Sequence, residues 1–390
     1  MTLSSVTSAT RTWIEDADCS LEEFRTRVLR DTDPADYPHA NDVRVGVPVY
    51  AAGSFPTAGA GRRLLQSELI RALTDGPGVV IFENAFDGSV VDDATAAFDQ
   101  LIADQHAAGG AAGDHFGKPG ANDRVWNAAQ KLALQAPEVF ADYYANDALA
   151  LICQAWLGPR YQVTSQVNVV NPGGAAQVPH RDYHLGFVNT DQLSAYPAHL
   201  HRMSALLTLQ GAVAHCDTPV HSGPTMLLPY SQQFEAGYLA SHRPEFIEFF
   251  AEHHVQTPLR KGDAVFFNPA LYHGAGENKS ADIHRMANLL QVSSPFGRAM
   301  ETLDRTAMVR AVYPALRAMR AAGRPAHELL NAVVATAEGY AFPTNLDLDR
   351  PIGSLAPPSQ VDVVVEALAH ERTPGELEAA LQEQNERRMP

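Results

Sequence analysis

Hydrophobic and polar positions change rhythm twice along this chain. In the first third, spacings of three and four residues alternate with turns. Residues 21–30 (LEEFRTRVLR) put their apolar side chains on one helical face, and residues 34–61 read as loop. Leu64–Thr74 returns to helical spacing, Gly76-Pro77-Gly78 stops it, and Val79-Val80-Ile81-Phe82 reads as a buried strand. Val90–Gln105 and Ala128–Trp156 are helical again, the second with a break near Pro137.

From Tyr161 to about Phe296 the pattern changes to short β-type runs separated by turns. The expected strands are Tyr161–Val170, Met203–Ala212, Thr225–Leu228, His254–Leu259, Ala264–Phe267 and Arg285–Val292. Turns at Asn171-Pro-Gly-Gly, Ser222-Gly-Pro, Lys261-Gly-Asp and Gly274-Ala-Gly separate them. Many short strands at this spacing predict an antiparallel sandwich, jelly roll or barrel. After Arg298 the helical spacing returns in Thr302–Arg320, Ala326–Glu338, Val361–Ala369 and Pro374–Arg387. The expected architecture is mixed β with flanking helices: a β core wrapped by N- and C-terminal helices. The expected division is an extension over 1–60, a core domain over 61–300 and a helical extension over 301–390.

Composition narrows the function. With 45% hydrophobic and 19% charged residues the chain can bury a large core, which argues against wholesale disorder. A formal net charge of −16 repels phosphate backbones, so no nucleic-acid partner is expected. Cys19, Cys153 and Cys216 lie far apart, form no zinc motif and suit a reducing cytoplasm. No apolar run is long enough to span a membrane, and Met1–Ser20 has no signal-peptide core. Oligomeric state leaves no mark on the sequence.

Candidate chemistry centres on His180-Arg181-Asp182. Residues two apart on a strand share a face, so the imidazole and the carboxylate can converge on one point. Two histidines and a carboxylate form the facial triad that suits Fe(II) and leaves positions open. Sixteen histidines make one such pair expected by chance, and a second, His215-Cys216-Asp217, is read as structural. Downstream, Gly262-Asp263 leads through an apolar strand to a Pro-bounded turn that presents His273. Arg285 opens a strand that looks buried on both faces, so its charge needs a partner. That partner is either an internal carboxylate or the far end of a dicarboxylate ligand, which a guanidinium grips bidentately. Gln166 and Asn168, on the polar face of Tyr161–Val170, are candidates for contact with cosubstrate or substrate. His184 and the polar, aromatic run from Asp114 to Trp126 are further candidates for the pocket's surroundings.

Taken together, Pro179-His180-Arg-Asp182-Tyr-His184, Gly223-Pro-Thr-Met-Leu-Leu-Pro229-Tyr-Ser231, Gly262-Asp263…His273 and Arg285 resemble the phytanoyl-CoA dioxygenase-like family. The resemblance covers roughly residues 65–296. It implies a double-stranded β-helix (jelly roll, cupin-like) that uses Fe(II), 2-oxoglutarate and O2. It implies that His180, Asp182 and His273 ligate the metal and that Arg285 holds 2-oxoglutarate. The implied reaction hydroxylates an unactivated C–H of a small-molecule metabolite and releases succinate and CO2. The carboxylate at Asp182 disfavours halogenation. Two departures stand out. Pro229-Tyr230-Ser231-Gln232 replaces the usual Pro-Gly-Ser-His, and Ala275 lacks the hydroxyl that relatives carry two residues after the distal histidine. Thr208 is the expected substitute for that hydroxyl. The alternatives are a cupin-type metal enzyme that uses no 2-oxoglutarate and a non-catalytic protein on the same scaffold.

Overall fold

The computed structural model describes residues 12–109 and 120–390. Ten strands define its centre: β1 (Asp42–Arg44), β2 (Val47–Ala51), β3 (Val79–Glu83), β4 (Asn122–Val125), β5 (Gln162–Val170), β6 (Thr208–Ala214), β7 (Met226–Leu228), β8 (Ala264–Phe267), β9 (Tyr272–Gly274) and β10 (Arg285–Ser293). Eight of them form one sheet in the order β1-β2-β3-β8-β6-β10-β5-β4, antiparallel except at β2/β3. The other two, β7 and β9, pair across from it. The two sheets enclose a cavity, and this is the double-stranded β-helix.

Alternation decides which face each side chain serves. On β5, Val163, Val167 and Val169 enter the main core, and Gln162, Thr164, Gln166 and Asn168 take the opposite face. On β10, Met286, Leu290 and Val292 enter that core, so Arg285, Ala287, Leu289 and Gln291 look the other way. The core lies between the large sheet and a layer of helices drawn from both ends of the chain. Leu65 and Leu69 of Gly59–Thr74 share it with Val312 and Leu316 of Arg305–Ala321 and with Leu377 and Leu381 of Pro374–Arg388. The buried Arg305 guanidinium joins the C-terminal helices to the sheet by donating to the carbonyls of Ala335 and Val163, each at 2.8 Å. A second apolar cluster packs Phe24 of Leu21–Val28 against Phe234, Phe246, Phe249 and Tyr272 beside the small sheet.

Three expected elements differ. The span 34–61 holds the β1–β2 hairpin, whose turn places Val45 at φ 46° and Gly46 at φ 83°. A left-handed β-branched residue is unusual, so Val45 conceals the turn signal. The first part of Met203–Ala212 is helix, because Ala198–Leu206 buries Ala198, His201 and Ala205 at helical spacing before β6 begins. His254–Leu259 forms only isolated bridges, Val255 with Leu227 and Leu259 with Thr218. Among the described residues no helix is long and apolar enough to cross a membrane.

Candidate metal centre and cavity

The segment 178–182 runs antiparallel to β9. His180 N–H donates to the His273 carbonyl at 3.1 Å, and Asp182 N–H donates to the Pro269 carbonyl at 3.1 Å. Alternation then sends His180 and Asp182 into the cavity and Arg181 the other way. Arg181 is buried in the second cluster, where it donates to the carbonyls of Ser231 (2.7 Å) and Phe234 (2.8 Å). Its charge lies over the rings of Tyr238 and Tyr272, at 5.1 and 5.3 Å. A Cβ on Gly237 would lie 2.0 Å from the Arg181 guanidinium carbon, so any larger residue there would displace the guanidinium from its two carbonyls. The middle residue of the motif thus anchors the two that flank it.

One ligand atom from each of His180, Asp182 and His273 lies within 4.8 Å of the others. His180 Nε2 is 3.7 Å from Asp182 Oδ1, and His273 Nε2 is 3.4 Å from Asp182 Oδ2. Each imidazole turns its Nδ1 to a backbone carbonyl two residues back, His180 to Val178 (3.1 Å) and His273 to Leu271 (2.9 Å). A carbonyl only accepts, so Nδ1 of each ring carries a proton and Nε2 is turned toward Asp182. Gln210 Nε2 donates to Asp182 Oδ2 at 2.5 Å. Burial raises the Asp182 carboxyl, but His273, His180 and Gln210 outweigh it and hold the group below the usual carboxylate range. Burial, then the neighbouring His273, lowers the His180 imidazole. An anionic carboxylate beside a neutral imidazole is the protonation a divalent metal needs.

The cavity measures about 870 Å³ and is lined by the triad, Arg285, Gln166, Asn168 and Gln210 among others. Arg285 is 8% exposed, and its guanidinium makes no hydrogen bond or ion pair among the described residues. Burial lowers its guanidinium to about 10. A buried cation that opens onto a metal-ligating cluster without a protein carboxylate fits a dicarboxylate that bridges the two.

Thr208 does not take the role expected of it. It faces the cavity side of β6 but pairs with Ser293, eight residues along β10 from Arg285, or about 27 Å at strand rise. It is fully buried, does not line the cavity and cannot share a ligand carboxylate with Arg285. Gln166 is close by, donating to Met300 Sδ at 3.3 Å, and Asn168 accepts from Asn122 at 3.2 Å. His184 does not line the cavity, and both its ring nitrogens are buried. Of the run from Asp114 to Trp126, residues 114–119 lie outside the described residues, while Arg124 and Trp126 line the cavity. Gln210 and His242, which also line it, escaped the sequence reading. A glutamine in the otherwise apolar run Leu209–Ala214 was the available signal for the first; His242 carried none.

The second HxD is structural, as expected. His215 is buried on the helix side, with Nδ1 2.8 Å from Thr95 Oγ1 and Nε2 3.0 Å from Tyr143 OH, while Asp217 accepts from Lys261 N–H. Burial pushes His215 down to about 4. An unfolded imidazole titrates near 6.5, so between about 6.5 and 4 the unfolded chain binds more protons. The stability His215 confers is therefore complete above pH ~6.5 and falls by about 3 kcal/mol as the pH drops to ~4. Urea midpoints measured across that window should show the slope in the native protein and a flatter one in His215→Gln. An equal slope in both would remove His215 as its source.

A double-stranded β-helix with two histidines and a carboxylate gathered in its cavity defines a class, the non-haem Fe(II)- and 2-oxoglutarate-dependent oxygenases. The sequence model of the phytanoyl-CoA dioxygenase (PhyH) family matches residues 74–287, more than half of the chain, and the chain belongs to that family. Dioxygenase cdmD of Talaromyces verruculosus is 30% identical over 148 residues. That is 38% of this chain and 38% of that protein, so the chain spans well under half the length of this relative. Among solved structures, the non-haem α-ketoglutarate-dependent carbocyclase SnoK from nogalamycin biosynthesis is 20% identical, covering 60% of this chain and 86% of that one, with a TM-score of 0.43. AviO1 from Streptomyces viridochromogenes Tue57 is 19% identical, covering 60% of this chain and 97% of that one, with a TM-score of 0.44.

Proposed function

We propose that this protein is a hydroxylase that inserts oxygen into an unactivated C–H of a small-molecule metabolite. His180, Asp182 and His273 would hold Fe(II), and Arg285 would hold 2-oxoglutarate. Bound iron supplies oxygen activation coupled to decarboxylation of 2-oxoglutarate to succinate and CO2. The chain supplies orientation and charge. The two backbone carbonyls fix the imidazole tautomers, and Gln210 fixes the plane of the Asp182 carboxylate. Arg285 supplies a positive charge that a distal carboxylate can meet bidentately. The surrounding walls keep water from the reacting carbon. In this reading residues 61–300 are the catalytic unit, and 1–60 and 301–390 are extensions that complete its sheet and core. Three free cysteines suit a cytoplasmic enzyme.

The observation that carries the proposal is the unpartnered Arg285 in the same cavity as the triad. Adding Fe(II) and then 2-oxoglutarate to metal-free protein without oxygen should produce a weak visible charge-transfer band that needs both. Metal binding with no response to 2-oxoglutarate would sink the proposal and favour a cupin-type metal enzyme.

A further inference from the structure

One wall of the cavity carries hydrogen-bonding groups that have no partner among the described residues. Gln210 and Gln291 are directly opposed on β6 and β10, and both line the cavity. They are 3% and 7% exposed, and Oε1 of each lacks a partner. The orientation of Gln210 is fixed by chemistry. Its other amide atom touches Asp182, whose carboxylate only accepts, so that atom is the nitrogen and the oxygen must find a donor elsewhere. The Gln291 amide makes no hydrogen bond at all among the described residues. One step along the ladder, the hydroxyls of Thr208 and Ser293 are likewise opposed, fully buried and unpartnered. Buried polar groups are nearly always satisfied, so four orphans on one strand pair are unusual.

Resting on the function proposed above, we infer that Gln210 and Gln291 form the subsite that orients the substrate, and that they recognise a hydroxyl group on it. Cross-strand pairing puts their Cβ atoms about 5 Å apart, so one group can reach both amides. Gln291 offers a donor and an acceptor. A hydroxyl can donate to Gln210 Oε1 and accept from Gln291 Nε2 at once, which an ammonium or a carboxylate cannot. Most of the remaining lining surface is apolar, including Val178 and Phe187, which are 60% and 55% exposed, with Arg124, Gln177 and His242 among its polar members. The substrate class is a neutral, apolar-framed alcohol whose hydroxyl sits beside Asp182. That hydroxyl fixes which neighbouring C–H meets the metal.

Two measurements test this on the full chain. An orphaned amide destabilises the free protein, so Gln291→Met should raise the melting temperature by about 2–4 °C. An unchanged or lowered value would mean that the amide is already satisfied, and would overturn the inference. Second, the Fe(II)- and 2-oxoglutarate-loaded protein is titrated calorimetrically without oxygen with decalinol, a saturated bicyclic alcohol, and with its methyl ether. The alcohol should bind about tenfold more tightly, and Gln291→Met should erase the difference. Equal affinities, a preference that survives in the variant, or no binding of either compound would overturn the inference. The charge-transfer band is recorded in every sample. Its absence from the native protein would instead sink the underlying oxygenase reading.

Discussion

Replacing Asp182 with alanine will weaken Fe(II) binding by more than roughly 100-fold, beyond the loss typical when only an outer hydrogen-bonding partner of a ligand is removed. The carboxylate is the only anionic group among the three ligands. Without it, two imidazoles with ring centroids 4.5 Å apart remain to meet a dication. The Gln210 amide also loses its acceptor. Equilibrium dialysis of Fe(II), with the visible spectrum after 2-oxoglutarate, checks both consequences: the metal is lost and the band does not form. Unfolding does not explain such a result if the melting temperature of the metal-free variant holds or rises. Retention of near-native Fe(II) affinity would remove Asp182 from the ligand set.

Why was this cluster visible in the sequence at all? Metal chemistry admits few residue types, and strand alternation fixes the two-residue spacing, so His180 and Asp182 needed no tertiary information beyond the strand itself. His273 and Arg285 were legible for a related reason. Each is a polar residue where an apolar strand begins or ends, and burying it requires a ligand or a partner. Thr208 shows where such reasoning stops. Alternation placed it on the correct face of β6, but position along the strand depends on register with β10, which no local pattern encodes. Arg181 was passed over because a motif written HxD treats its middle residue as free, whereas the fold buries that residue between two tyrosines. The helical layer was legible from its 3.6-residue period. The β1–β2 hairpin was not, because Val45 occupies a backbone region that sequence statistics assign to glycine or asparagine.

Arg285→Gln should separate the cosubstrate from the metal. Fe(II) binding stays native, because the guanidinium touches none of the three ligands. The affinity for 2-oxoglutarate falls by roughly 30- to 3,000-fold, the range corresponding to about 2–5 kcal/mol for removing one partner of a buried, hydrogen-bonded charge pair. Glutamine keeps two donors but neither the charge nor the rigid fork, so shape alone will not rescue binding. The free protein should gain stability at the same time. Burial holds the charged guanidinium at about 10, and that desolvation, on the order of 3 kcal/mol, is relieved in the variant. Opposite signs for stability and cosubstrate affinity are what a residue kept for a ligand produces, whereas one kept for folding would lower both. Anaerobic titration of 2-oxoglutarate into the Fe(II)-loaded variant, alongside its melting curve, reads the two signs. Unchanged cosubstrate affinity would place the distal carboxylate elsewhere in the cavity, and a fall in melting temperature would assign Arg285 to the fold.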